Sequence, residues 1–456
     1  TPTTHNYTLS LHDALPISVQ PGMSSMKILL VLLTLLLFQP AEARSQQGLA
    51  DFVIDNPAAG PHLYPWGSGR IAVHGDWSAF LYRTALFDDW LYLQDASGLE
   101  SHIRLPDRFD HNDRANAEYV LTSPTRLWLW SGVFGQAKLR RYRLEGQQGL
   151  PTRAVLVSVS RIGDNNSRPG GLIALESGGL LGMWYQFEYH ADRHLAVGFF
   201  YIDPSGKPQT LYPLHLAGKG GNIVGSRCTL AQHPADGSIW AFLKRDSYHE
   251  ISAIVLRETV EGIGLSWMKT DFISQRDGDH GPDSEYPYLV AAPDRRRQSL
   301  RLAYQNRKSA VFYVADGRGR SLSGLCGKPM GGLLDPSLYI KGANLSIAEI
   351  SADRTTSFLE LPVFVDAARY FGFSVTDRLW VVYQPVGCWN TSYDSVNKRR
   401  EVHATFFDQG IWAPPLRLGE SSEHKEYYAS PVLFNVARPQ FALRLSDGLV
   451  HQFEGF

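Results

Sequence analysis

CTLAQHPADGSIWAFLKR, residues 228–245, is the stretch whose reading decides the fold. Its first run, Cys228 to Gln232, is short and mostly apolar. Pro234, Ala235, Asp236 and Gly237 follow as a polar turn. A second run, Ile239 to Lys244, is apolar until its last residue. Apolar runs of about four to eight residues, bounded by Pro, Gly, Asp and Ser, are strand signals. The residues between them have the chemistry of a tight turn. The stretch therefore predicts an antiparallel hairpin with charged residues gathered at its open end.

The same grammar recurs on both sides. Upstream stand AEYVLTSPTRLWLWSG (117–132), GGLIALESGGLLGMWYQ (170–186) and a weaker copy, GRIAVHGDWSAFLYR (69–83). Downstream stand YPYLVAAPDRRRQSLRLAYQN (286–306), YFGFSVTDRLWVVYQP (370–385) and SPVLFNVARPQFALRLSDG (430–448). Each unit is too small to bury its own faces, so stacking of neighbours must supply the core. Seven copies predict an all-β, seven-bladed β-propeller, with six or eight blades as the fallback. A β-sandwich of irregular strands is the competing architecture. LVHQFEGF (449–456) reads as a strand that pairs with chain near residues 50–75 and closes the ring. Residues 317–366 fit no unit and read as an inserted hairpin or an eighth, irregular one.

Composition agrees with this. Aromatic residues make up 12% of the 456 residues, with 41 Gly and 26 Pro, which suits strands joined by many turns. Lys plus Arg total 44 and Asp plus Glu 45, a net charge of -1 that excludes a dedicated nucleic-acid binder. The three cysteines form no CxxC pair. A zinc ribbon and a disulfide scaffold are therefore excluded, and one disulfide at most remains.

The N-terminal residues read as processing segments. YTLSLHDALPI (7–17) resembles a translated sequencing adapter, so residues 1–22 are expected to be an assembly scar. From Met23 or Met26 the text is that of a secretory signal peptide, assigned to residues 23–44. Lys27 is its positive start, Ile28 to Phe38 its apolar centre, and Ala41-Glu42-Ala43 its cleavage site. A secreted or periplasmic location follows, in an oxidising compartment. No later apolar run is long enough to span a bilayer, so no membrane contact is expected after cleavage. Residues 45–456 are read as a single propeller domain.

Antiparallel pairing decides which residues share a face. First-strand starts and second-strand ends lie together, and the turns between them lie opposite. The turns TSPTR, ESGG, PADG and PDRRRQ are ordinary solvated turns. The other face collects His111, Asn112, Arg168 and Arg227 from strand starts. Second-strand ends and the loops after them add Tyr185, His190, Lys244, Arg245, Tyr248, His249, Tyr304, Tyr383 and Trp389. Aromatic faces stack on sugar rings, and arginine forks match carboxylates. The set predicts an acidic oligosaccharide or polysaccharide as partner. Other chemistries lack their motifs. No GxSxG elbow occurs. GKGGN (218–222) lacks the ending of a phosphate loop. HADRH (190–194) lacks the glutamate of a zinc hydrolase.

At DHN (110–112), RPGGLIALESGGLLGMWYQF (168–187) and SRCTLAQHPADGSIWAF (226–242) the chain resembles the secreted bacterial neuraminidase-repeat propellers. More narrowly it looks like the branch containing ulvan-type and related polysaccharide lyases. The likeness spans most of residues 60–456. It implies a propeller with a substrate groove across one face. It implies His and Tyr as acid and base, with an Arg neutralising the uronate carboxylate. The matching positions give a catalytic set of His111, Tyr185, Arg227 and Tyr248, with His249 as the alternative to Tyr248. The substrate-binding set is Asn112, Arg168, His190, Lys244, Arg245, His249, Tyr304, Tyr383 and Trp389. No cofactor is required. Some such lyases hold a structural metal through Cys and His, which here points to Cys228 and His233. The SxDxGxTW box of sialidases is absent, and DGSIW (236–240) and DQGIW (408–412) only echo it. The expected protein is a monomeric lyase cleaving uronate polysaccharide by β-elimination. One alternative is a glycoside hydrolase or sialidase-like enzyme using two carboxylates among Glu188, Glu250, Asp279 and Glu285. Another is a glycan-binding propeller without activity.

Overall fold

Continuous apolar runs become the inner strands, and alternating runs become the outer ones. In the hairpin that opened the reading, Ile239–Lys244 is buried at every position and Cys228–Gln232 at all but its last. The outer strand of the same sheet, Gly262–Ile273, instead mixes exposed and buried residues. A strand covered on both faces needs no polar side, whereas an edge strand faces water. The structure is a computed structural model. It describes residues 49–53, 62–63, 72–75, 77–83, 88–95, 97–107, 117–132, 137–147, 150–162, 167–186, 195–216, 228–244, 249–282, 289–313, 339–363, 365–366, 371–385, 399–422, 440–444 and 450–455. All of these fall in one compact unit, Gly48–Phe456. Residues 1–44, expected as an assembly scar and a signal peptide, lie outside the described residues.

Six sheets of four or five strands form the blades of a propeller. Blade 1 holds His62–Leu63, Ala72–His74, Trp77–Arg83, Asp89–Gln94 and Glu100–Arg104. Blade 2 holds Glu118–Ser123, Arg126–Ser131, Lys138–Gln147 and Leu150–Arg161. Blade 3 holds Ser167–Ala174, Leu180–Gln186, Leu195–Ile202 and Pro208–Leu216. Blade 4 holds Cys228–Gln232, Ile239–Lys244, Ile251–Thr259 and Gly262–Ile273. Blade 5 holds Leu289–Asp294, Ser299–Tyr313, Tyr339–Ile350, Thr356–Glu360 and the short Val365–Asp366. Blade 6 holds Gly372–Val375, Leu379–Tyr383, Arg399–Asp408, Ile411–Trp412 and Leu416–Ser422. All pairings are antiparallel.

The count of complete blades is thus the fallback of six. The last copy, 430–448, contributes Gln440–Arg444 to a three-stranded sheet instead. There Val450–Gly455 lies between Gln440–Arg444 and Leu49–Val53, with Leu49 opposite Gly455. The two ends of the described chain are therefore stitched together. Of residues 317–366, expected as an inserted hairpin or an eighth unit, the described part supplies the outer strands of blade 5, Tyr339–Ile350, Thr356–Glu360 and Val365–Asp366, and residues 317–338 lie outside the described residues. Their pattern escaped the repeat because the second strand of that blade runs 15 residues, to Tyr313.

The cores lie between blades. One cluster joins blades 1 and 2 through Leu91, Leu121, Leu127 and Tyr142. Others join blades 2 and 3 around Trp130 and Phe200, and blades 3 and 4 around Tyr185, Leu230 and Leu243. Blades 4 and 5 meet around Trp240, Ile251 and Tyr304, and blades 5 and 6 around Leu345 and Tyr383. Burying one such side chain contributes about 1.5–3 kcal/mol. Blades 2 to 5 each share in two of these cores, which is why no single hairpin unit stands alone.

Candidate functional site

The end of the blades where second strands finish is held by three sets of side chains. The first set lies between blades 3 and 4. Arg168 stands opposite Tyr185 in the register of the first hairpin of blade 3. Tyr185 is buried in the core that contains Cys228, the residue after Arg227. A Cβ on Gly170 would lie 3.1 Å from the Tyr185 ring and 3.3 Å from Cys228, so glycine lets the two blades close on that ring. Leu243 pairs with Cys228, which puts Lys244 at the same strand end. Arg168, Tyr185, Cys228 and Lys244 thus meet at one end of two neighbouring blades.

The second set lies between blades 4 and 5. Ser274 caps a short 3-10 helix, Gln275–His280, and exchanges hydrogen bonds with Asp277. Tyr304 donates its hydroxyl to the His280 carbonyl at 2.7 Å, and the His280 ring stacks on Phe358 at 4.9 Å. His280 Nδ1 is 3.0 Å from Ser346 Oγ, which also accepts from Asn306 Nδ2 at 2.9 Å. Asn306 in turn bridges to Pro282. So pinned, the Pro282 carbonyl lies 3.0 Å from His249 Nδ1. A carbonyl only accepts, so Nδ1 carries the proton and Nε2 keeps the lone pair. The half-buried imidazole is held as a proton acceptor facing away from its anchor.

The third set is a clamp at the entry to the DHN segment. Asp107 accepts from the Tyr142 hydroxyl at 2.6 Å and pairs with Arg140 Nε at 2.8 Å. Arg140 also donates to Ser131 Oγ at 2.7 Å. Burial pushes the Tyr142 phenol far above its ordinary value, and the Asp107 charge adds to this. Tyr142 is therefore a fixed donor that tethers the chain four residues before His111.

The expected site residues divide as follows. His111, Asn112, His190, Arg227, Arg245, Tyr248 and Trp389 lie outside the described residues. Arg168 is described in its backbone, on the strand start where it was expected. Tyr185, Lys244 and Tyr383 occupy the expected second-strand ends, whereas Tyr304 lies inside its 15-residue strand, opposite Leu289; all four are buried, which corrects their reading as residues open to a ligand. Burial, with the Asp277 charge behind it, drives the Tyr304 phenol well above its ordinary value, and burial does the same to Tyr383. Such phenols stay protonated and do not act as bases. Tyr383 packs with blades 5 and 6, apart from Tyr185. His249 is the half-buried member of the described set. Of the hydrolase carboxylates, Asp279 is exposed and Glu250 half-buried, while Glu188 and Glu285 lie outside the described residues.

Cys228 and His233 do not form a ligand pair. They sit at opposite ends of one strand, about 16 Å apart at a strand's rise per residue. His233 Nδ1 accepts from the Ala235 amide at 3.2 Å, so its Nε2 donates to the Ile350 carbonyl, also at 3.2 Å. That bond fastens blade 4 to blade 5. Among the described residues no group of three or more His, Cys, Asp or Glu side chains is arranged to hold a metal.

Several positioning residues escaped the sequence reading: Asp107, Arg140, Asn306 and Ser346. One signal was present. In KLRRYRLEG (138–146) Arg140 alternates with Tyr142 and Leu144, so a cation falls on the apolar side and demands a buried partner.

No protein-family model matches the chain, and no curated protein matches it. Similar solved structures are propellers of several kinds. A polysaccharide lyase of family PL25, an ulvan lyase bound to GlcA(1-4)Rha3S, is 9% identical over 87% of this chain and 95% of its own, with a TM-score of 0.43. The Nup133 β-propeller domain of Vanderwaltozyma polyspora is 10% identical over 90% of this chain and 98% of its own, with a TM-score of 0.44. A luciferin-regenerating enzyme is 10% identical over 80% of this chain and 97% of its own, with a TM-score of 0.40. At this distance the matches carry no argument about activity, and the propeller rests on the chain's own sheet order and inter-blade cores.

Proposed function

We propose that the chain is a carbohydrate-active propeller that cleaves an acidic, uronate-containing polysaccharide by β-elimination. What supports this reading is that the strand ends of blades 3 and 4 bring together the Arg168 backbone, Tyr185, Cys228 and Lys244, with His249 held by the Pro282 carbonyl; Arg227, the residue before Cys228 in sequence, lies outside the described residues. In this reading arginines from the strand starts stand with the oriented His249 imidazole, which suits a substrate whose carboxylate must be neutralised before its α-proton can leave. Arg227 pairs with the carboxylate and stabilises the enolate charge. An imidazole takes the proton, from His249 through its Nε2 or from His111 beyond the Asp107 tether. The electron pair forms the C=C bond, the C–O bond to the leaving sugar breaks, and Tyr248 protonates the leaving oxygen. In this reading the protein acts outside the cytoplasm, as a monomer and without an organic cofactor.

The test is incubation with a panel of uronate polysaccharides, following the absorbance of unsaturated chain ends. The expected result is unsaturated product on at least one polymer, reduced about a hundredfold or more in Arg227→Ala. New reducing ends without unsaturation would instead indicate a hydrolase. Glycan binding with no product would indicate a binding propeller.

A further inference from the structure

The outer half of blade 2 carries a charge that the whole chain hides. Between residues 119 and 163 seven cations stand against a single acid, Glu145, in a chain whose net charge is -1. One of the seven, Arg140, is buried on Asp107. The others lie on the second, third and fourth strands.

Register places four of them on one side of the sheet. Arg126 is directly opposite Arg143, which is opposite Val155. Trp128 is opposite Arg141, which is opposite Ser158, and Glu145 is opposite Arg153. Opposed residues on antiparallel strands are about 5 Å apart, and alternate residues on one strand lie on the same side about 7 Å apart. Arg126, Arg143 and Arg153 are exposed. Arg143 reaches Glu145 at 2.6 Å, and its side chain is 63% exposed. Arg126 and Arg153 form no ion pair among the described residues. Arg141 lies over the Trp128 ring at 5.7 Å, within reach of a cation–π contact. Like charges directly opposed across a ladder are unfavourable, and a polyanion relieves that cost.

We propose that this face of blade 2 is a second binding surface, for an extended acidic polysaccharide, separate from the strand-end site. The cations follow three adjacent strands of an open sheet, which suits a polymer carrying repeated carboxylate or sulfate groups. Guanidinium forks match either group bidentately. Trp128 is buried, so this side offers no aromatic wedge for a lipid surface. A nucleic-acid duplex would extend past the patch onto a molecule without excess positive charge. The choice of polysaccharide as occupant rests on the proposed function, whereas the existence of an anion surface rests on the register alone. In that reading the surface holds the polymer while its chain is cut elsewhere.

The test is titration of the full chain with chondroitin sulfate at low and physiological salt, beside neutral dextran, duplex DNA and phosphatidylserine vesicles. The expected result is salt-sensitive binding of chondroitin sulfate and none of dextran. Binding should weaken about tenfold or more in the triple variant Arg126→Ala, Arg143→Ala, Arg153→Ala. It should be retained when the same positions become Lys, which excludes misfolding as the cause. Unchanged binding by the alanine triple variant overturns the proposal, and so does tighter binding of DNA or vesicles. Cleavage of short uronate oligosaccharides is read in parallel and should not change in the triple variant. If no substrate is cleaved, the lyase reading fails while the binding arms still decide the surface.

Discussion

Single residues decide how closely the strands of blade 3 approach. Gly198 stands opposite Trp184, and a Cβ added there would fall inside the indole ring. Gly182 stands in the same relation to Phe200. The glycines leave a flat bed on which each ring lies across the neighbouring strand. Gly198→Val should therefore destabilise the fold by about 1–3 kcal/mol through overpacking, read as a lower urea midpoint at unchanged slope. His249 yields a second expectation. With Nδ1 donating to the Pro282 carbonyl, nitrogen NMR of the neutral ring should give a protonated Nδ1 and a bare Nε2. The opposite tautomer would remove His249 as proton acceptor.

Residue positions along the strands were legible in the sequence, but their sideways directions were not. Tyr185 and Tyr383 lie at second-strand ends, since the apolar run and the polar loop after it mark that end, whereas the strand holding Tyr304 runs on to Tyr313. Each ring turns laterally onto an adjacent blade instead of lying open. A period of two tells which side of a strand a residue takes, but in a propeller both sides are interior. Only the neighbouring blade reveals the burial, and no local pattern encodes that neighbour.

Elements follow local chemistry more closely. The turn of the opening hairpin is closed by Asp236, which accepts from the Ser238 amide at 3.1 Å and from its hydroxyl at 2.6 Å. Ser238 in turn accepts from the Trp240 indole at 3.1 Å. Arg257 of the third strand reaches the other carboxylate oxygen. Partial burial pushes the Asp236 carboxyl up, but the Ser238 hydrogen bonds and the Arg257 charge outweigh it, and the net shift is downward. A carboxylate depressed in the folded state stabilises above its unfolded value, near 3.9, and loses that contribution as pH falls through the folded value. Asp236→Asn should thus lower the unfolding midpoint at neutral pH, and the gap to the native protein should narrow as the pH falls below the unfolded carboxylate value and through the lower folded one. A gap that persists in acid would mean the side chain acts by shape alone.

The hairpins were the readable elements, because continuous apolar runs around Pro, Gly and Asp turns have few other interpretations. The outer strands were not, since Leu150–Arg161 and Gly262–Ile273 carry bulges that break the alternation. The same irregularity hid the arginine face of blade 2, whose members come from three strands and align only through register.

At the scale of the molecule, the chain ends hold the described unit together. Leu49–Val53 has Val450–Gly455 as its partner, and that strand also bridges to Gln440–Arg444. Removal of residues 449–456 deletes the middle strand of this sheet and leaves two strands without a partner. The truncated protein should melt cooperatively at a temperature several degrees or more below the full chain. An unchanged melting temperature would show that the stitch does not stabilise the unit. Near-neutral overall charge likewise conceals the cationic face along the strands of blade 2.

The central claim is that the strand ends of blades 3 and 4 neutralise a uronate carboxylate so that its α-proton can be removed. The direct measurement compares a uronate polysaccharide with the same polymer after its carboxyl groups are reduced to alcohols, reading unsaturated ends with native protein and with Arg227→Ala. The account predicts unsaturated product from native protein on the uronate polymer alone. Equal cleavage of the reduced polymer, or full activity without Arg227, would contradict it.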